Sequence, residues 1–396
     1  ARNYGHTRLN SIGRAPMLSR MHSRNSFFHF VFILLATVAR ADDPFPGRYT
    51  EPVEKSSPNR QTQFDQVGAY AQRLHDAAPK NRDAFFQPNY RSEKAYVRST
   101  KELRKAVENG IGFPPPMQKH STKPRWEKIA DDPYATIYRV WIEVVEGVEA
   151  YGLISIPHGL KGKAPLMVCQ HGGGGNPELV HGMLEGVGTG NYGWMTMRAL
   201  KEGYVTLEPA LLFPFGGKEE IEGPNRQKLD QDLQYLGTSI LAVEVYKISR
   251  LIDVACERPE VDKDRIAMMG LSYGGCYTLY TAALDTRIKA AVSSCFFNER
   301  KRYLWSDWSY FNFMNEFNDA EVCALICPRA FMIEVGDNDT LFAVDGAKAE
   351  SVRAKKYWDG LGLSDRFNFT AFAGGHEFKG DGGYEFVRNH LEKETK

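Results

Sequence analysis

The stretch that most constrains this chain is Gly270-Leu271-Ser272-Tyr273-Gly274-Gly275. Residues 265–269 before it form a short apolar run that reads as a strand, and residues 275–284 after it read as a helix. A strand that turns sharply into a helix around G-x-S-x-G is a nucleophile elbow. The serine sits at a strained turn, and its neighbours lack side chains so that the helix can pack back on the strand. The helix N-terminus beside the serine favours negative charge developing there. In a chain with 36 glycines the same six residues also describe a glycine-rich loop with an incidental serine. The surrounding sequence has to decide between the two.

A second glycine cluster decides in favour of the elbow. Residues 165–170 are continuously apolar up to Gln170, as in a strand buried on both faces, and run straight into His171-Gly172-Gly173-Gly174-Gly175. Consecutive glycines after a buried strand allow backbone N–H groups to approach a ligand oxygen. An HGGG loop in this place supplies one half of an oxyanion hole, and the residue after the nucleophile supplies the other. The expected donors are the N–H groups of Gly173 and Tyr273.

The remaining parts follow in order. Residues 330–335 read as a buried strand and lead into Gly336-Asp337-Asn338-Asp339; residues 367–372 read as a last strand and lead into Gly374-Gly375-His376. Ser272, an aspartate at 337 or 339, and His376 therefore each follow a strand, in the chain order Ser, Asp, His. A serine hydroxyl needs a base to take its proton, and a carboxylate fixes the tautomer of that base. Asp337 and Asp339 are both available, and Glu334 is still within the strand. Asp339 is preferred because a turn must carry the acid away from the strand to reach the histidine.

Strands alternating with helices from residue 121 onward give a mostly parallel α/β sheet flanked by helices. Two β-rich runs at 137–144 and 148–156, joined at Glu146-Gly147, open it as an antiparallel pair. Residues 239–257 show core-facing helical spacing, and residues 211–237 read as a long irregular excursion. Residues 296–317 are dense in aromatics, among them Trp305 and Trp308. They line a substrate cleft or pack a cap, and aromatic faces suit sugar rings.

Residues 42–120 read as an N-terminal extension: a Pro- and Ser-rich arm to about residue 60, then amphipathic helices at 64–73 and 92–109. Upstream, a basic lead from Met21, an apolar run at 27–38 and Ala39-Arg40-Ala41 follow the pattern of a secretory signal peptide. Export is the expectation, with an uncleaved anchor as the alternative and no stable membrane association once the signal is removed. The six cysteines include no C-x-x-C pair, so no zinc site is expected, and most read as small buried hydrophobes. With 50 Lys+Arg against 49 Asp+Glu, nothing points to a nucleic-acid partner.

Residues from about 121 to 392 resemble the α/β-hydrolase superfamily, in particular its dienelactone-hydrolase-like and acetyl xylan esterase-like members. The matching stretches are 165–175, 258–275, 285–294, 327–342 and 374–378. In such proteins the acid comes three residues after the strand-ending glycine, which maps onto Gly336 and Asp339. A dienelactone hydrolase carries a cysteine where this chain has Ser272. The resemblance implies a serine hydrolase of carboxylic esters without metal or organic cofactor, acting on a small-molecule or carbohydrate ester such as an acetylated polysaccharide. Two other readings are a prolyl-oligopeptidase-type peptidase and a non-catalytic glycan-binding protein on the same fold. The first usually carries a large β-propeller, whereas residues 42–120 read as helical.

Overall fold

The computed structural model describes residues 44–212 and 225–393; the signal-like segment lies outside them. The described residues divide into two compact units, one ending at Gly68 and the other beginning at Ala69. In the first, residues 53–68 begin the helix Val53–Phe85, which crosses the boundary. The part from 53 to 60, expected as an extended arm, is helical. Pro58 lies past the first turn and leaves the Glu54 carbonyl without its i+4 donor.

The second unit begins with the rest of that helix and two short ones. Glu93–Ser99 is capped by Ser92, whose side chain accepts the Ala95 N–H. Lys101–Ile111 ends at Gly112 in the left-handed conformation (φ 73°), the geometry that closes a helix. Tyr96, Val107 and Ile111 are wholly buried in the main core.

The centre of this unit is a sheet that, among the described residues, has nine strands. They are β1 (Arg125–Asp131), β2 (Ala135–Val145), β3 (Val148–Pro157), β4 (Ala164–Gln170), β5 (Val205–Pro209), β6 (Val261–Leu271), β7 (Ile288–Ser294), β8 (Ala330–Gly336) and β9 (Phe367–Phe372). The spatial order is β1-β2-β3-β5-β4-β6-β7-β8-β9. Strands β1, β2, β3 and β5 pair antiparallel. The pairs β5–β4, β4–β6, β6–β7, β7–β8 and β8–β9 are parallel. A parallel sheet needs both faces covered. Helices Ile240–Cys256 and Tyr273–Leu284 contribute to one core; Met195–Lys201 and Gly383–Lys393 contribute to the other.

Two elements depart from expectation. β1 lies in a stretch, 125–131, that shows no clean apolar alternation because it is an edge strand with mostly exposed or half-buried side chains. Arg226–Tyr235 is a helix inside the stretch read as irregular; Asn225 caps it by accepting the N–H groups of Gln227 and Lys228. Its sequence is almost wholly polar, so periodicity gave no signal. All six cysteines are free thiols, five of them buried.

Candidate active site

Ser272 stands at the carboxyl end of β6, with φ 60° and ψ −122°, a conformation a non-glycine residue holds only when its surroundings impose it. The surroundings do. The Ser272 N–H donates to the Ser294 carbonyl at the end of β7 (2.8 Å), and the Ser272 carbonyl accepts the Cys276 N–H (3.0 Å). The elbow glycines leave room for the helix to return. A Cβ on Gly274 would lie 2.2 Å from the Gln170 carbonyl oxygen, and one on Gly270 would lie 2.3 Å from the Gly274 carbonyl oxygen.

The loop after β4 reaches the same point. A Cβ on Gly172 would approach the Ser272 Cβ at 3.0 Å, so this glycine lies directly against the nucleophile candidate. The Gly172 N–H is used: it donates to the Tyr192 hydroxyl (3.0 Å). Gly173 is exposed, and its N–H has no hydrogen-bond partner among the described residues. Tyr273 opens the helix, where N–H groups point out of the N-terminus. His171, buried completely, holds the loop in shape. Its Nδ1 lies 2.8 Å from the Gly172 carbonyl, and Nε2 accepts the Leu211 N–H (2.9 Å). Burial pushes its pKa down to about 4, so the ring is neutral, with the Nδ1–H tautomer fixed by these two bonds. In the sequence His171 shows only as the residue that precedes the glycine run.

At the carboxyl ends of β8 and β9 the candidate residues Asp339 and His376 meet. His376 Nδ1 is 2.9 Å from Asp339 Oδ2. Asp339 Oδ1 accepts the N–H groups of Leu341 and Phe342 (2.8 and 2.9 Å). Burial alone would raise the carboxyl pKa of Asp339; the hydrogen bonds from His376, Phe342 and Leu341 outweigh it and hold it below the usual value. Asp337 is elsewhere, accepting the Gly374 N–H and the Asn338 side-chain amide. Glu334 is buried within β8, and its carboxylate accepts the N–H groups of Lys379 and Gly380. Asn191 clamps the histidine loop from the other side: its side chain donates to the His376 carbonyl, and its carbonyl accepts the Phe378 N–H. The ring of Phe342 lies parallel to the imidazole (5.8 Å, 23°).

One cluster among the described residues has metal-ligand chemistry: the ligand atoms of Cys295, Asp339 and His376 lie within 4.8 Å of one another. Burial pushes the Cys295 thiol up to about 12. Its Sγ is 3.4 Å from the Glu377 carbonyl, which makes it part of the packing of the histidine loop.

The two tryptophans differ. Trp308 is buried, against Tyr273 (4.7 Å), Phe296 and Phe342. Trp305 is 45% exposed and stacks on Trp308 (4.5 Å, 10°). Trp308 therefore builds the wall and Trp305 presents a face to solvent. Behind Tyr273, Arg226 bonds to Asp307 (3.1 Å), the Tyr277 hydroxyl (2.8 Å) and the Leu212 carbonyl (3.0 Å), with its guanidinium 5.3 Å from the Tyr273 ring. This anchor lay in the polar helix that the sequence pattern did not reveal.

Known proteins share part of this sequence and much of this fold. Residues 116–306 match the model of the acetyl xylan esterase family. The solved structure of a Bacteroides fragilis protein, provisionally described as an acetyl xylan esterase, superposes with a TM-score of 0.60 at 19% identity. The match covers 76% of this chain and 81% of that one. A glucuronoyl esterase from Solibacter usitatus superposes with a TM-score of 0.57 at 15% identity, over 76% and 94% of the two chains. The chain has the α/β-hydrolase fold. Among curated proteins, the chain is 25% identical over 162 residues to YtaP of Bacillus subtilis, provisionally named a hydrolase. That match takes in 39% of the present chain and spans about half (54%) of the length of YtaP.

Proposed function

We propose that this α/β-hydrolase cleaves carboxylic esters through a Ser272–His376–Asp339 triad. The observation that carries the reading is the 2.9 Å contact between His376 and Asp339, at the same sheet edge as a backbone-strained Ser272. With Nδ1 facing Asp339, the other ring nitrogen, Nε2, is the one left to take the Ser272 proton. The Ser272 Oγ then bonds to the ester carbonyl carbon, and the oxyanion rests on the N–H groups of Gly173 and Tyr273. Collapse breaks the bond to the alcohol oxygen, which leaves with the proton from His376. Water, deprotonated by the same ring, releases the acid from the acyl-enzyme. Asp339, kept ionised by its hydrogen bonds, stabilises the imidazolium in both halves.

The substrate class is an esterified carbohydrate, supported by the acetyl xylan esterase match and by the Trp305 face beside Tyr273. Export by the segment up to residue 41 belongs to the same reading, since such polymers lie outside the cell. The test is hydrolysis of p-nitrophenyl acetate, acetylated xylan and a methyl glucuronate ester by the chain and its Ser272→Ala variant. Activity lost in Ser272→Ala is expected. Equal rates in the two proteins would overturn the triad, and turnover confined to the glucuronate ester would replace the acetyl reading with a glucuronoyl one.

A further inference from the structure

The second unit holds a pocket that the catalytic reading does not use. It lies where the end of the helix Val53–Phe85 meets the segment after β7. His75 Nδ1 touches Met314 Sδ (3.1 Å), Arg82 donates to the Met314 carbonyl (2.6 Å), and Asn81 donates to the Asn315 side chain (2.9 Å). The space between has a volume of about 200 Å³, and its walls include His75, Arg300, Trp308, Ser309, Tyr310 and Phe313. That is room for on the order of six or seven water molecules, the bulk of one sugar ring. It is open to solvent beside Leu304, which is 57% exposed.

Three features say what would occupy it. The walls are mainly aromatic, and flat apolar faces suit the C–H faces of a pyranose. Two polar atoms of the wall lack hydrogen-bond partners among the described residues: Arg300 Nη1 and Ser309 Oγ. The rest of the Arg300 guanidinium is committed to Asp319 and the Phe296 carbonyl. Guanidinium has only donors, and a serine hydroxyl both donates and accepts, so an acceptor oxygen is among the partners this wall lacks. Finally, Trp308 is common to this pocket and to the wall behind Tyr273, while Trp305, stacked on Trp308, is exposed to solvent.

We propose that this pocket is a second sugar-binding subsite, which holds one pyranose ring of a carbohydrate chain whose ester group lies at Ser272. The proposal rests on the carbohydrate-ester reading above. It makes the aromatic segment 303–313 a track with two stations, of which the far one supplies binding energy and takes no part in bond breaking.

The experiment uses the full chain, Ser309→Phe to fill the pocket and Ser309→Ala to remove its hydroxyl. Rates are read on p-nitrophenyl acetate and on acetylated xylo-oligosaccharides of two to six units. The wild type should gain at least tenfold in kcat/KM with length. Ser309→Phe should flatten that gain while leaving p-nitrophenyl acetate hydrolysis unchanged. A wild type indifferent to length, or a folded Ser309→Phe that keeps the full gain, overturns the subsite. If Ser309→Phe does not fold by circular dichroism, Ser309→Ala decides: a gain reduced severalfold supports the subsite, and an unaltered gain overturns it. Should no ester be cleaved, the catalytic reading fails on its own. Titration calorimetry with unesterified xylohexaose then reads the pocket directly, where binding weakened by either variant supports it and absence of binding to the wild type overturns it.

Discussion

His376 and Asp339 face each other at 2.9 Å, and the same carboxylate is pinned by the Leu341 and Phe342 N–H groups. Asp337, two residues earlier, supports the loop through Gly374 instead. The two aspartates should separate cleanly. Asp339→Asn keeps the shape but removes the charge that favours the imidazolium, so kcat/KM on p-nitrophenyl acetate should fall by about ten-thousand-fold. Asp337→Asn should stay within about tenfold of wild type, since it touches neither imidazole nor substrate. Equal losses in the two would remove Asp339 from the triad.

The strained elbow predicts an intolerance that is steric and independent of chemistry. A methyl on Gly274 meets the Gln170 carbonyl oxygen at 2.2 Å, and backbone on both sides cannot give way cheaply. Overpacking of this kind costs about 1–3 kcal/mol or more. Gly274→Ala should lower Tm by an amount of the order of 5 °C or more, measured by differential scanning calorimetry. Ser272→Ala, which removes one oxygen at the same turn, should leave Tm nearly unchanged while abolishing activity.

Glu334 offers a test of positioning. Its carboxylate accepts the Lys379 and Gly380 N–H groups, and so ties the histidine loop to β8. Glu334→Ala leaves the Lys379 and Gly380 N–H groups without this acceptor and frees the loop. A displacement of about 1 Å can cost on the order of a hundredfold. The loss should appear in kcat, with KM little altered. Glu334→Gln retains one acceptor oxygen and should recover much of the rate.

The chain order Ser272, Asp339, His376 and the two glycine clusters were legible in the sequence because each is a local signal: a strand, a forced turn, a residue type. The same holds for β4, β6 and β8, whose continuous apolar runs follow from burial on both faces. What the sequence hid was non-local. Asn191 and Glu334 matter through backbone groups far along the chain. Arg226 stands in a polar helix whose only signal is its Asn225 cap. The strand β1 could not be read because an edge strand need not alternate. Asp339 is the aspartate that the turn and the family pattern favour over Asp337, and the 2.9 Å contact with His376 falls on it.

Trp305 and Trp308 stack, yet they should fail differently. Trp308 is enclosed by Tyr273, Phe296 and Phe342, so Trp308→Ala should cost about 3–5 kcal/mol of stability and lower activity on every ester. Trp305 offers its face to solvent. Trp305→Ala should leave Tm within a few degrees and p-nitrophenyl acetate turnover intact, while raising KM for acetylated xylan severalfold. Identical KM values for the polymer would show that the exposed ring takes no part in binding it.

The last prediction concerns pH and a carboxyl group away from the reacting atoms. Glu208 in β5 is completely buried. Oε1 accepts the Thr196 hydroxyl (3.1 Å), and Oε2 has no partner among the described residues. Burial pushes its pKa from the ordinary 4.5 up to about 8. Between those values the folded chain holds a proton that the unfolded chain releases. Stability from this group is therefore complete below about pH 4.5, falls as pH rises from there, and levels off above about pH 8. Glu208→Gln keeps the volume and an acceptor for Thr196 but cannot ionise. Its Tm should decline less than that of wild type between pH 5 and 9, with the largest difference at the alkaline end. Parallel Tm curves for the two proteins across that range would mean that Glu208 does not hold its proton on folding.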